Sequence, residues 1–298
     1  MAVLGKGNAN GGCSLLHAAG LGYGASVALD LPVKVRLLDK PSKRGPPDDP
    51  DGLLQAVLNT WAAQNLAFPD GRNPQQLHWR VDSSIPMRQG LKSSSATAVA
   101  ALRALCDASD TDLDDPTLVE LAVTAQIQAG VTITGSVGDT WAAVGPGWKL
   151  VDSQAPVREG VLLEGEVPDS EAWEVALVLR GQRKARPTLE QFQPHATAFQ
   201  QALQSLQEGN LLMAMTWNGR GVAAALGDVE GRKMANDAFM NSARAAFITG
   251  SGPALAIVLP KNQPQAMTRI QRWFEARYKN IEFVLTSFSK PSQRESTA

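Results

Sequence analysis

The chain has 298 residues, 44 % hydrophobic and 19 % charged, with 28 Lys+Arg against 29 Asp+Glu and a formal net charge of -1. That balance excludes a disordered polyelectrolyte, and the missing basic excess argues against a duplex nucleic-acid surface. No apolar run reaches the ~18–20 residues of a membrane helix. No basic region followed by an apolar one opens the chain as a secretory leader would. Two cysteines, Cys13 and Cys106, are too few for a disulfide framework or a cysteine zinc site. The expectation is a cytoplasmic protein in a reducing compartment, with no nucleic-acid or membrane partner. The length suggests two domains, and no feature of the sequence sets an oligomeric state.

The 26 glycines cluster at residues 5–24, 84–96 and 248–259. Between them the elements follow in order. Residues 25–38 alternate apolar and polar and predict a strand or a pair of strands. Residues 40–51, with four prolines, predict a surface loop. Residues 52–67 predict a helix with Leu53, Leu54, Val57, Leu58 and Trp61 on one face. Residues 77–86 predict a strand, and the Ala- and Leu-rich 94–106 a helix. A further helix is expected over 116–129, with Asp115 as N-cap and Pro116 in its first turn.

Residues 129–139 form a Gly-punctuated, β-branched stretch, and 173–181 predict a strand. Helices are expected near 188–208, 210–226 and 231–245. The sequence ALAIVLP, ending at Pro260, predicts a buried strand. An amphipathic helix over 264–277 and a last strand over 281–288 precede a polar tail, which is expected to fray. Pro, Gly and Asp accumulate near 152–172, which marks a seam. The elements lack a regular βαβ rhythm, so the expected class is α+β.

The segment from Pro86 to Ala96, PMRQGLKSSSA, carries the clearest chemistry. Gly90 permits a tight turn and a close backbone approach to a ligand. Ser93, Ser94 and Ser95 then enter a helix, whose first turn presents unpaired N–H groups and the positive end of its dipole. An anion is the natural partner. The hydroxyls add donors and a possible magnesium ligand, and Lys92 adds a point charge for phosphate. The pattern is not a P-loop, because Lys92 precedes the serines and only one loop glycine is present.

Pro86 to Ala96 resembles the ATP-binding motif of the GHMP kinases, and Gly90-Leu91-Lys92-Ser93-Ser94-Ser95-Ala96 is most similar to the archaeal-type shikimate kinases among them. Gly5-Lys6, Ala18, Gly22 and Gly24, then Ala28-Leu29-Asp30-Leu31, resemble that family's first motif. Residues 129–135 and Asp139 resemble its next segment. Glu208-Gly209-Asn210, Ala214-Met215-Thr216 and Asn218-Gly219 resemble its middle region. Thr249-Gly250-Ser251-Gly252-Pro253-Ala254 resembles its third motif.

The resemblance implies a two-domain GHMP kinase fold. An N-terminal ATP-binding domain over 1–155 would be ribosomal-protein-S5-like. A C-terminal domain over 156–290 would be ferredoxin-like, followed by the tail 291–298. It implies phosphoryl transfer from ATP, with Mg²⁺, to a hydroxyl of a small molecule, shikimate or a related cyclitol or polyol acid. Pro86, Gly90, Leu91, Lys92, Ser93, Ser94, Ser95 and Ala96 would bind the nucleotide, with Ser94 on the metal. Asp139 and Lys92 would be catalytic. His17, Tyr23, Thr134, Gly250, Ser251 and Gly252 would meet the acceptor.

Four positions depart from the family pattern: His17 stands for Asn, Tyr23 for Lys, Gln128 for an acidic residue, and Gly138-Asp139 for an Asp-Asp pair. A neutral amide is a poorer magnesium ligand than a carboxylate, and a phenol cannot neutralise charge. An acceptor carboxylate calls for a cation, for which Arg88, Arg183, Lys184, Arg186 and Arg220 are available. Two further readings stay open: a GHMP-fold protein that binds without catalysis, and the same fold with other chemistry, such as phosphate-dependent elimination or decarboxylation.

Overall fold

The computed structural model describes residues 1–167 and 169–290; the expected tail at 291–298 lies outside them. Two long strands open the chain, β1 (Val3–Leu16) and β2 (Tyr23–Leu38), joined through a single 3-10 turn and paired antiparallel. After the Pro-rich loop come α1 (Leu53–Ala63), β3 (His78–Ser83), α2 (Ser93–Ser109), α3 (Asp115–Gln128) and α4 (Val137–Val144). Strands β4 (Trp148–Asp152) and β5 (Val161–Gly165) complete a sheet of order β1-β2-β4-β5, with β3 also paired to β2. This first sheet therefore reaches Gly165, past the boundary expected at 155.

The second half contains β6 (Trp173–Leu179), α5 (Ala196–Gln207), α6 (Leu211–Ala225), α7 (Val229–Met240), β7 (Ala245–Ile248), β8 (Leu255–Pro260), α8 (Pro264–Arg277) and β9 (Glu282–Thr286). Its sheet runs β7-β8-β6-β9, all antiparallel. Past β9, Phe288 bridges Leu29, and Ser289 N–H donates to the Ala28 carbonyl at 3.0 Å, so the end of the second half is laced to β2. The architecture is α+β, as expected.

The glycines of the first cluster lie largely within a strand. A Cβ at Gly5 would stand 2.2 Å from the Ala104 carbonyl oxygen, and one at Gly7 2.0 Å from that of Ala100. Bare strand backbone thus meets the Ala-rich face of α2, whose Ala96, Ala100, Ala101 and Ala104 are fully buried. Small residues on both sides let helix and sheet approach closely, which seats the N-terminus of α2 over β1. The apolar face of α1 is buried as expected, Trp61 completely, and each such side chain contributes roughly 1.5–3 kcal/mol.

Several local expectations change. The cap of α3 is Asp114, whose Oδ1 accepts from Thr117 N–H at 3.0 Å, rather than Asp115. The helix expected over 188–208 starts as two 3-10 turns around Pro194 and becomes α-helical only at Ala196. The third expected helix ends at Met240, because Ala245–Ile248 pairs with β8, and tertiary pairing overrides the helix propensity of alanine. Strands β4 and β5 and helix α4 are short, and their sequence patterns gave no element.

Candidate active site

The loop before α2 turns through three left-handed residues: Arg88 (φ 57°), Gly90 (φ 81°) and Lys92 (φ 65°). A Cβ on Gly90 would stand 2.1 Å from the Thr249 carbonyl oxygen, so only glycine allows this contact. Thr249 Oγ1 donates to the Gly90 carbonyl at 3.2 Å, and Ala254 N–H donates to that of Gln89 at 3.2 Å. The second and third glycine clusters, far apart in sequence, are therefore one joined structure.

No side chain caps α2. Its first helical hydrogen bond runs from Ala96 N–H to the Lys92 carbonyl, and the N–H groups of Ser93, Ser94 and Ser95 find no acceptor among the described residues. Uncapped N–H groups and the helix dipole make this end an anion seat. It opens into a cavity of about 430 Å³.

Beside this helix end lies a closed charge pair. Lys92 Nζ is 2.6 Å from Asp139 Oδ1, and it also donates to Ser14 Oγ at 2.6 Å. Ser26 Oγ donates to the same Asp139 oxygen at 2.6 Å. The Lys92 side chain is 6 % exposed and that of Asp139 27 %. Burial pushes the Asp139 carboxyl up. The Lys92 charge and the hydrogen bonds outweigh that, and its pKa lies below the ordinary carboxylate value. Gly138 makes the close packing possible, since a Cβ there would stand 3.1 Å from the Gly24 backbone.

Ser94 and Ser95 both donate to Gln126 Oε1, at 3.3 and 2.8 Å. Gln126 is fully buried, and its amide N–H₂ donates to the Ala122 carbonyl and Thr140 Oγ1. This corrects the weight given to Gln128, which is exposed and does not line the cavity. Gln126, two residues earlier on the buried face of α3, is the side chain that meets the serines.

His17 follows β1 and lines the cavity. Its Nδ1 accepts from Ala19 N–H at 3.2 Å, which leaves Nε2 as the N–H donor, 3.3 Å from Ser251 Oγ. The ring stacks on Phe192 at 4.6 Å. Burial, then the charge of Lys92, pulls its pKa down to about 4, so the imidazole is neutral at ordinary pH. The Cys13 thiol nearby is fully buried and pushed up to about 12 by that burial, which leaves it unreactive.

Of the residues expected at the site, Gly90, Leu91, Lys92, Ser93, Ser94, His17, Thr134, Asp139, Gly250 and Ser251 line the one cavity. Tyr23 does not. It begins β2, pairs with Asp152 and packs its partly buried ring against the core. Gly252 and Pro86 lie outside the lining, and Ser95 and Ala96 are buried within α2. Ser14, Ser26 and Gln126 also serve the site and carry no signal in the sequence. Each is a lone polar residue in an apolar element, and its partner is brought close only by folding.

The basic run divides. Arg180 is consumed structurally, bonded to both carboxylate oxygens of Asp228 and to the Pro253 carbonyl. Arg220 lies over Trp217, away from the cavity. Arg88, Arg183, Lys184 and Arg186 line it. Arg88 and Arg186 share Asp51, at 3.6 and 2.7 Å, which ties the Pro-rich loop to the basic one. Arg183 is half-buried and its side chain has no partner among the described residues. Burial and the charges of Arg186 and Arg88 lower its pKa, with Asp51 opposing them in part, and an anionic ligand would offset the repulsion.

Residues 55–147 match the family model described as GHMP kinases N terminal domain. A shikimate kinase of Thermococcus kodakarensis is 31% identical over 195 residues, 64% of this chain and 67% of that protein. A shikimate kinase of Methanocella arvoryzae is 30% identical over 203 residues, 65% of this chain and 64% of the relative, and the match to that of Pyrococcus abyssi covers 55% of its length. The chain thus spans between about half and two thirds of these relatives. Among solved structures, the mevalonate kinase of Methanococcus jannaschii superposes with TM-score 0.72 at 13% identity, over 96% of this chain and 98% of that one. A putative homoserine kinase of Listeria monocytogenes gives 0.64 at 18% identity, over 95% and 96%. The fold is that of the GHMP kinases. The chain belongs to this family.

Proposed function

We propose that this chain is a cytoplasmic enzyme that transfers the γ-phosphoryl group of ATP to a hydroxyl of a small, carboxylate-bearing acceptor, shikimate or a related cyclitol acid. One observation carries the reading: an uncapped helix N-terminus and a buried Lys92–Asp139 pair face the same cavity. Phosphoryl transfer requires little covalent chemistry from the protein; it needs positioning and charge stabilisation. The N–H groups of α2, Ser93 and the Lys92 charge would hold the phosphates. Asp139, kept ionised, would orient the acceptor hydroxyl and take its proton.

The donor set near Ser94 fits Mg²⁺ held mainly by phosphate and water. Ser94 Oγ spends its proton on Gln126, so its lone pairs remain for the cavity, and Gln126 brings no carboxylate. Mg²⁺ commonly keeps several waters in such sites, and when bound it supplies charge neutralisation on the phosphates. Arg183 would hold the acceptor carboxylate, and neutral His17 with Ser251 would hydrogen-bond its remaining hydroxyls.

Acceptor-dependent ADP release with a panel of cyclitol acids tests this. Turnover that needs both the acceptor and Asp139 is the expected result; no turnover with any member of the panel defeats the proposal. The neutral Gln126 beside the phosphate seat favours a second reading, a ligand-binding protein without turnover. That reading predicts ATP-analogue binding indifferent to Mg²⁺ in calorimetry.

A further inference from the structure

Asp139 is served unevenly. Lys92 Nζ and Ser26 Oγ both approach Oδ1, each at 2.6 Å. No hydrogen bond from the described residues reaches Oδ2. Ser26 lies in β2, 1 % exposed, and its hydroxyl has the Asp139 carboxylate as its acceptor. A hydroxyl carries one proton, so this donation fixes its direction.

The backbone makes the contact possible. Gly138 sits in the first turn of α4 with its Cα hydrogen against the Gly24 backbone, where even a Cβ would come within 3.1 Å. Helix α4 thereby rests on β2, and Asp139, the next residue, comes within reach of Ser26. Without the acid that the family pattern has at 138, one carboxylate does the work, and its two oxygens are distinguished.

We propose that Ser26 is a positioning residue: together with Lys92 it occupies Asp139 Oδ1, locks the carboxylate rotation, and leaves Oδ2 as the single oxygen that receives the acceptor hydroxyl. The proposal rests on the phosphotransferase reading above. In the step it serves, the acceptor O–H proton passes to Asp139 Oδ2 and on to water. The acceptor oxygen forms its bond to the γ-phosphorus as the bond to the β,γ-bridging oxygen breaks, and that electron pair leaves with ADP. A carboxylate free to rotate would present either oxygen to Lys92 and lose part of the alignment that positioning supplies.

The groups that bear on the titration of Asp139 come from each neighbouring element. Lys92 stands at the start of α2 and His17, neutral, after β1. Gln126 on α3 is uncharged. Lys149 on β4 is held by Glu164 and lies over the Trp141 ring.

Ser26→Ala removes one oxygen from a buried site and leaves the strand intact. The variant is expected to bind ATP with unchanged KM and to lose about tenfold in kcat, about 1.4 kcal/mol. The acid limb of its kcat–pH profile should move to higher pH. In protein labelled with ¹³C-carboxyl aspartate, the Asp139 resonance should likewise titrate at higher pH than in the wild type. A variant with wild-type kcat and acid limb overturns the proposal. Wild-type protein without turnover on any acceptor sinks the phosphotransferase reading instead. The carboxyl titration is still decisive for Ser26 in that case: an unmoved Asp139 resonance overturns its role, whatever the activity.

Discussion

Lys92 and Arg183 are two cations on the wall of one cavity, and the fold treats them oppositely. Lys92 is closed: it is buried, paired with Asp139 and bonded to Ser14, and its backbone starts α2. Arg183 is open: it is half-buried, crowded by Arg88 and Arg186, and without a partner of its own. A charge satisfied within the protein is organised before any ligand arrives, and suits the reacting centre. A charge left unsatisfied in a wall gains most when an anion binds, and suits recognition. In the proposed kinase, the difference would separate a chemical side of the cavity from a recognition side.

The largest expected effect comes from breaking the closed side. Lys92→Met should strand Asp139 beside the phosphates. Breaking a buried pair typically costs 3–5 kcal/mol, and with Asp139 partly exposed we expect about 2–3 kcal/mol of stability. The kcat should fall by about a hundredfold or more. Denaturant melts and steady-state kinetics check both numbers. A variant that keeps its kcat would show that the pair is only structural.

Removing the open charge should act differently. Arg183→Gln is expected to raise the acceptor KM by about 10- to 100-fold, the loss of a charge-assisted hydrogen bond of roughly 1.5–3 kcal/mol, with ATP KM and folding stability unchanged. An equal rise in the two KM values would remove the distinction between the sides. A smaller effect sharpens it. Millimolar carboxylate acceptor should raise the wild-type melting temperature by ligand linkage and raise that of Arg183→Gln less, which differential scanning fluorimetry can read.

The smallest effect concerns His17, which bridges the two sides. Its folded pKa, about 4, lies below the ordinary 6.5. Between these values the unfolded chain binds a proton that the folded chain does not. The stability from neutral His17 is therefore fully present above pH 6.5 and is lost as pH falls toward 4. His17→Gln should flatten the stability curve in that window. Asp139, whose carboxyl is depressed, contributes above its ordinary value near 3.8 and loses its contribution only at lower pH, so the two windows separate.

Much of this was legible in the sequence, and the failures share a cause. The segment from Gly90 to Ser94 could be read because a turn glycine, a lysine and helix-entry serines are neighbours in the chain. The apolar face of α1 could be read from periodicity, and the strand β8 from its continuous apolar run. Ser26 could not, since its partner Asp139 lies 113 residues away and nothing local in β2 marks it. Gln126 and Gln128 sit two apart on one helix, and only burial separates them. Tyr23 occupies a position where the family pattern suggests a ligand contact, but its ring packs against the core. Nothing local explains Gly5 and Gly7 in a strand; the close approach of α2 does.

The proposed reaction is phosphoryl transfer to a carboxylate-bearing acceptor. ³¹P NMR of the purified protein with MgATP, comparing shikimate with its methyl ester, tests it most directly. A phosphomonoester resonance should grow in step with ADP for the acid and be far weaker for the ester. A mixture in which no acceptor gains phosphate, or in which the ester reacts as well as the acid, would contradict it.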